Sequence, residues 1–156
     1  VDVYTYNPSQ VEFQISGYKV IGWDAITIKR NSPSFRLVKG INGKHTRTQD
    51  YDTSAVITVG IMQTSPSNEV MSYVHEQDIA NGTGRLQILL KDLGGESVFS
   101  SQEAFIDNYP EKRFTDGIVF NNWTFICQST DDYTVGGNAR PSENVVSDVL
   151  RRLDII

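Results

Sequence analysis

The sequence predicts a mainly β fold, a small β-sandwich or barrel with one packed internal helix, a long protruding hairpin and a C-terminal helix. Three observations carry this. Apolar residues alternate with polar ones in segment after segment, the period of a half-buried strand. Turn pairs such as Asn42-Gly43 and Gly94-Gly95 separate those segments. Only two stretches carry helix-start signals, each a Ser/Pro/Glu cluster ahead of an apolar stripe: one at Ser65-Pro66, the other at Pro141-Ser142-Glu143.

In chain order, residues 1–10 form an N-terminal arm. Val11, Phe13 and Ile15 then alternate with Glu12, Gln14 and Ser16 in a strand closed by Gly17, and a short strand follows over Tyr18 to Gly22. Ala25 to Arg30 is a third, dominated by β-branched residues and ended by Pro33. Residues 30–53 are long and polar around Gly40-Ile41-Asn42-Gly43, which predicts an extended hairpin with an exposed tip. Ser54 to Met62 is the strongest strand, with both faces nearly apolar or uncharged, so both faces are expected to be covered.

Next, Ser65 is a cap candidate before Pro66 at the first helical position, and Glu69 adds negative charge to the first turn. Val70, Met71, Val74 and Asp78 follow at helical spacing, and Asn81-Gly82 stops a helix of Pro66 to Ala80. Arg85 to Lys91 puts Leu86, Ile88 and Leu90 on one strand face, Gly94-Gly95 turns into a strand at Ser97 to Asp107, and Asn108-Tyr109-Pro110 breaks the pattern. Ile118 to Gln128 is a long strand with Trp123, Phe125 and Cys127 on one side, closed by Ser129 to Asp132. Residues 138–156 form a C-terminal extension whose helix carries Val145, Val146, Val149, Leu150 and Leu153 as its apolar stripe. The expected total is seven or eight strands and two helices in one domain.

Length and composition agree. A chain of 156 residues falls in the span of one domain, and one of this size buries about 68–70% of the surface its unfolded form exposes, so it needs no metal or disulfide staple. Cys127 stands alone, and a disulfide-free framework favours a reducing interior such as a cytoplasm. No run of about 18 apolar residues predicts a membrane helix, and Val1 to Pro8 lacks the basic and hydrophobic regions of a secretory signal. The net charge of −5 is unevenly placed, with residues 1–50 at net +3 and residues 51–156 at net −8. A nucleic-acid reader carries a basic face, so tight DNA binding is not expected, whereas this polarity suits head-to-tail stacking of identical copies.

The inventory for catalysis is thin, and no enzyme, cofactor or metal is expected. His45 and His75 have no partner at metal-ligand spacing, and His75-Glu76 lacks the second histidine of a zincin motif. Cys127 reads as a small buried hydrophobe, with a nucleophile as the lesser alternative. There is no Gly-x-Ser-x-Gly elbow, and Gly94-Gly95 and Gly136-Gly137-Asn138 read as turns rather than phosphate loops. Asp50-Tyr51-Asp52 and Asp131-Asp132 could chelate a divalent cation but fit solvated turn carboxylates better. The Lys44-His45-Thr46-Arg47 cluster could touch phosphate but fits a protein contact better.

Gly43-Lys44-His45-Thr46-Arg47, followed by the strand from Ser54 to Met62 and by Gln63-Thr64-Ser65-Pro66-Ser67-Asn68, resembles the tail tube proteins of contractile-tailed bacteriophages. The opening Tyr6-Asn7-Pro8 with Val11 and the late Asn122-Trp123-Thr124-Phe125 extend the resemblance over most of residues 4–137. The resemblance implies a subunit of hexameric rings stacked into a hollow tube, with a fold shared by type VI secretion tubes. It implies sheath, baseplate and tail terminator proteins as partners, genome passing through the channel, and a place in the phage tail after assembly in the host cytoplasm. In that setting Lys44, Arg47, Asp50 and Asp52 become inter-ring contact candidates. The uncharged positions Thr58, Gly60, Gln87, Asn122 and Thr124 become lumen-facing candidates. The alternatives are another virion component, such as a tube terminator or capsid decoration protein, and a small-ligand-binding β-barrel.

Overall fold

The structure, a computed structural model, describes residues 5–138 and 149–153. A turn of 3-10 helix at Pro8–Gln10 leads into β1 (Val11–Ile15), β2 (Tyr18–Lys19), β3 (Trp23–Arg30), β4 (Phe35–Lys39), β5 (His45–Gln49) and β6 (Ala55–Met62). Helix α1 (Ser67–Asn81) follows, then β7 (Leu86–Asp92), β8 (Val98–Ile106), β9 (Phe120–Cys127) and β10 (Asp132–Thr134).

Eight of these strands make one antiparallel sheet in the order β2-β1-β7-β8-β9-β6-β3, with β10 pairing the first half of β8. The sheet curls on itself, because Ile26 and Ile28 of β3 share a groove with Val11 of β1 and Leu90 of β7. The result is a partly open barrel, and β4 with β5 stands apart as its own two-stranded ribbon.

The period-two pattern decides which side faces in. Phe13, Ile15, Ile57, Val59, Ile61, Ile88, Phe99, Ile106, Trp123, Phe125 and Cys127 are all buried in one cluster, with Met71 of α1 entering it. Phe13 and Phe125 meet edge to face at 5.7 Å. On β6 the expectation of two covered faces holds unequally. The inward residues are fully buried, while Val56, Thr58 and Met62 on the other side are only half-buried.

The structure corrects the sequence reading in two places. The sequence puts Asp132 in a closing loop, but Asp132 to Thr134 pair with Ser100 to Val98 as a strand, which brings the described strands to ten. Three residues are too few to show a period, so tertiary pairing decides this one. The strand expected over Tyr18 to Gly22 shrinks to Tyr18–Lys19, because Gly22 takes a φ of +76° and turns the chain. Of the C-terminal helix, residues 149–152 are helical, while Val145 and Val146 of its stripe lie outside the described residues.

Two ends of the barrel are distinct. Helix α1 leaves the end of β6 at Met62, and the β8–β9 connection, residues 107–119, lies at that same end, where Gln63 N–H bonds the Val119 carbonyl at 3.1 Å. The β4–β5 ribbon is attached at the other end of β6, between Arg30 and Ala55. An eight-residue strand separates the two, about 26 Å at roughly 3.3 Å per residue.

Candidate functional site

The β4–β5 arm comes first, since four of the candidate residues lie on it or at its base. Its register runs from Phe35 opposite Gln49 to Lys39 opposite His45. The tip closes with the Gly40 N–H on the Lys44 carbonyl at 2.7 Å, and Gly43 takes the positive φ, +77°, that the turn requires. Every residue of both strands is exposed, including Leu37 at 68%, Val38 at 53% and, at the tip, Ile41 at 106%. The charged side chains of the strands and tip are Arg36, Lys39, Lys44 and Arg47, with no carboxylate among residues 35–49.

The structure separates the four candidates. Lys44 sits at the tip without an ion pair among the described residues. Arg47 lays its guanidinium 4.1 Å over the Phe35 ring, a diagonal cross-strand pair. Asp50 and Asp52 instead build the base of the arm. Asp50 pairs with Arg36 at 3.3 Å and accepts the Asp52 N–H, while Asp52 accepts the Ser54 N–H at 3.0 Å and the Ser32 hydroxyl at 3.1 Å. The Ser54 backbone and side-chain bonds, then the Ser32 hydroxyl, hold the Asp52 carboxyl below its usual range. Arg30 closes the base by donating to the Asp52 carbonyl at 2.8 Å.

The five uncharged candidates belong to the outer face of the sheet. Thr58 is flanked by Thr27 on β3 and Thr124 on β9, and Gly60 by Ala25 and Asn122, so β3, β6 and β9 present one row of threonines and beside it a row of small residues ending in Asn122. Asn122 and Gln87 are exposed, and Thr58 and Thr124 are half-buried. Gly60 is buried, because a Cβ there would meet the Asp24 carboxylate and the Asn122 amide that close over it. Gln87 lies two strands further along, at the bulge where β7 slips against β8.

Sequence reasoning treated Ser65-Pro66-Ser67-Asn68 as a helix cap and missed that it stitches three elements together. Ser65 Oγ does accept the Ser67 N–H at 3.2 Å, as a cap should. It also donates to the Ile21 carbonyl at 2.6 Å, and Ser67 Oγ accepts the Ile21 N–H at 3.0 Å. Asn68 fills all four of its hydrogen-bonding positions: Nδ2 donates to the Met62 and Ser65 carbonyls, and Oδ1 accepts from Asn121 Nδ2 and Trp123 Nε1. The signal available in the sequence was a polar Asn121 and a Trp123 on the inward face of β9, each needing a partner.

Other reactive side chains sit in inert settings. Cys127 is buried mid-strand, and burial pushes its thiol up to about 11. His75 is 7% exposed on α1, packed edge to face on Tyr109 at 4.6 Å, while His45 is on the exposed arm. Among the described residues no helix is long and apolar enough to cross a membrane.

No protein-family model matches the chain. It is 28% identical to "Structural protein ORF10" of Pseudomonas phage KPP10, over 162 aligned positions covering 97% of this chain and 92% of that protein.

Proposed function

We propose that this chain is a structural subunit of a phage virion, and that it assembles into stacked, hexameric rings forming the inner tube of a contractile tail. Near full-length similarity to a phage structural protein supports the virion role. The motif resemblance supports the finer reading, and one observation carries it: the arm. A two-stranded ribbon alone in water is marginally stable at best, yet this one holds Leu37, Val38 and Ile41 in the open. Such a ribbon becomes worthwhile when another copy covers it, and Lys44 and Arg47 supply the charge for an inter-ring contact.

On this reading the outer rows of Thr58, Gly60, Asn122, Thr124 and Gln87 line the channel. A wall of mostly uncharged residues, with the Asp24 carboxylate over Gly60 repelling phosphate, lets DNA slide, since few counterions are released on contact. The chain then works without catalysis, cofactor or metal. Its other partners are sheath, baseplate and terminator proteins, and its place is the phage tail, assembled in the host cytoplasm.

Analytical ultracentrifugation and negative-stain imaging of the purified protein test this directly. Rings and open-ended tubes are expected. Single closed rings that never lengthen would favour a terminator, and a monomer at high concentration would overturn the reading. A second reading, an apolar-ligand binder, is favoured by the groove of about 340 Å³ between Ile26, Ile28, Val11, Leu90 and Phe99. A stable monomer that takes up an apolar fluorescent dye there would support it instead.

A further inference from the structure

We infer that the groove between α1 and the β8–β9 connection is the receptor for the arm of a second copy, an inference that rests on the ring-stacking reading above. The groove, about 320 Å³, is lined by Asn68 and Ser72 of α1, Tyr109 and Lys112 of the connection, and Asn121 and Trp123 of β9.

Its position is the first argument. The arm and the groove lie at opposite ends of β6, so a head-to-tail repeat brings one copy's arm to the next copy's groove. A heterologous interface of this kind propagates as an open stack when its rotation does not close into a ring, which a tube requires.

Charge is the second. Helix α1 carries Glu69, Glu76 and Asp78 and no Lys or Arg, whereas residues 35–49 carry four cations and no carboxylate. Glu69 and Glu76 are exposed and lie three and four residues from Ser72, on the turns either side of it, so they flank the groove. Asp78 is partly committed, accepting the Gly84 N–H at 3.1 Å. Lys112 is the cation among the lining residues, and its ammonium is drawn 5.2 Å over the Phe114 ring.

The third argument is an unmet hydrogen bond. Asn121 is 5% exposed, and its Oδ1 has no partner among the described residues although Nδ2 is bonded to Asn68. A buried carbonyl oxygen without a donor is costly, and each cation of the arm brings N–H donors. Lys44, at the tip and without an ion pair among the described residues, is the group assigned to the mouth of this groove, since Asn121 Oδ1 itself is shielded from solvent.

The test is a charge-exchange cycle in the full chain, read by sedimentation and negative-stain imaging, with circular dichroism melts confirming that each variant folds. Lys44→Glu with Arg47→Glu, and separately Glu69→Lys with Glu76→Lys, are each expected to cut the polymerised fraction at least tenfold. The four changes combined should restore it. Independently, Lys44→Cys mixed with Ser72→Cys should give an intermolecular disulfide in oxidised assemblies.

Unchanged polymerisation in the Glu69/Glu76 variant, or no rescue in the combination, would overturn the inference. So would assemblies that form without the Lys44–Ser72 cross-link, since the arm or the groove would then have another occupant. A wild-type chain that forms no assembly overturns the stacking reading itself, which is a distinct result.

Discussion

The barrel and the arm are built from the same kind of hairpin, yet they are held in opposite ways. In the barrel, alternate residues of β6, β7, β8 and β9 enter a common core where Ile57, Phe99 and Phe125 are almost completely shielded from water. In the arm, both faces of β4 and β5 are exposed along their whole length, and among the described elements the ribbon packs closely on none. Hydrophobic burial scales with the apolar area removed from water, so the barrel's stability is internal to one chain. The arm keeps its backbone ladder, the Arg47–Phe35 stack, the Arg36–Asp50 pair and the hydrogen bonds at its base. Residues that contribute so little to one copy are available to contribute to an assembly.

The sharpest way to break this contrast is a matched pair of truncations. Phe125→Ala empties a fully buried site against Phe13 and should cost about 3–5 kcal/mol in urea unfolding. Leu37→Ala on the arm should move the same midpoint by less than about 0.5 kcal/mol, as exposed substitutions do. Should Leu37→Ala destabilise the monomer as strongly as Phe125→Ala, the arm would be part of the monomer's fold rather than an appendage.

A smaller effect is expected where α1 is fastened to the barrel. Ser67 is fully buried, accepts the Ile21 N–H and lies 3.2 Å from the Tyr18 hydroxyl. Ser67→Ala should cost about 1–3 kcal/mol by leaving those groups without a partner, with the loss read in urea unfolding. It should not change the arm, whose amide signals in NMR should stay in place. A shift of arm signals would mean that the two ends of β6 are coupled.

What was legible in the sequence follows from the same contrast. Strands that bury one face announce themselves by period, so β1, β3, β6, β7 and β9 could be read from Phe13/Ile15, Ile26/Ile28 or Trp123/Phe125/Cys127 alone. The arm was legible from its turn chemistry at Asn42-Gly43, which depends on local backbone geometry. Contacts between distant segments leave no such mark. Nothing in Asn68 foretells that it joins Asn121 and Trp123, 53 and 55 residues away. Likewise, Asp50 and Asp52 look like free acids until Ser54, Ser32 and Arg36 are seen around them. Of the assembly candidates, Lys44 and Arg47 remain outward-facing, while the two carboxylates have structural work at the base.

That base provides the finest probe of the contrast, because a carboxylate can be neutralised without disturbing the barrel. The Ser54 and Ser32 hydrogen bonds favour the charged Asp52 carboxylate and lower its pKa from the ordinary 3.8. A group whose pKa is depressed in the folded state contributes stability that is fully present above the unfolded value and lost as pH falls through the folded one. The contribution is therefore constant at neutral pH and disappears below about pH 4. Asp52 is fully exposed, so solvent screens the effect and the barrel should not register it. Amide exchange at Ser54 and along the arm, corrected for intrinsic rates, should accelerate as the pH falls below about 4 while Ile57 and Val59 stay protected. Asp52→Asn should flatten that dependence, since the amide accepts the same N–H without a charge to lose. If arm exchange in the wild type proves indifferent to pH in this range, the arm is not held at its base by Asp52, and its ordering has to come from the ladder, the Arg47–Phe35 stack and the Arg36–Asp50 pair.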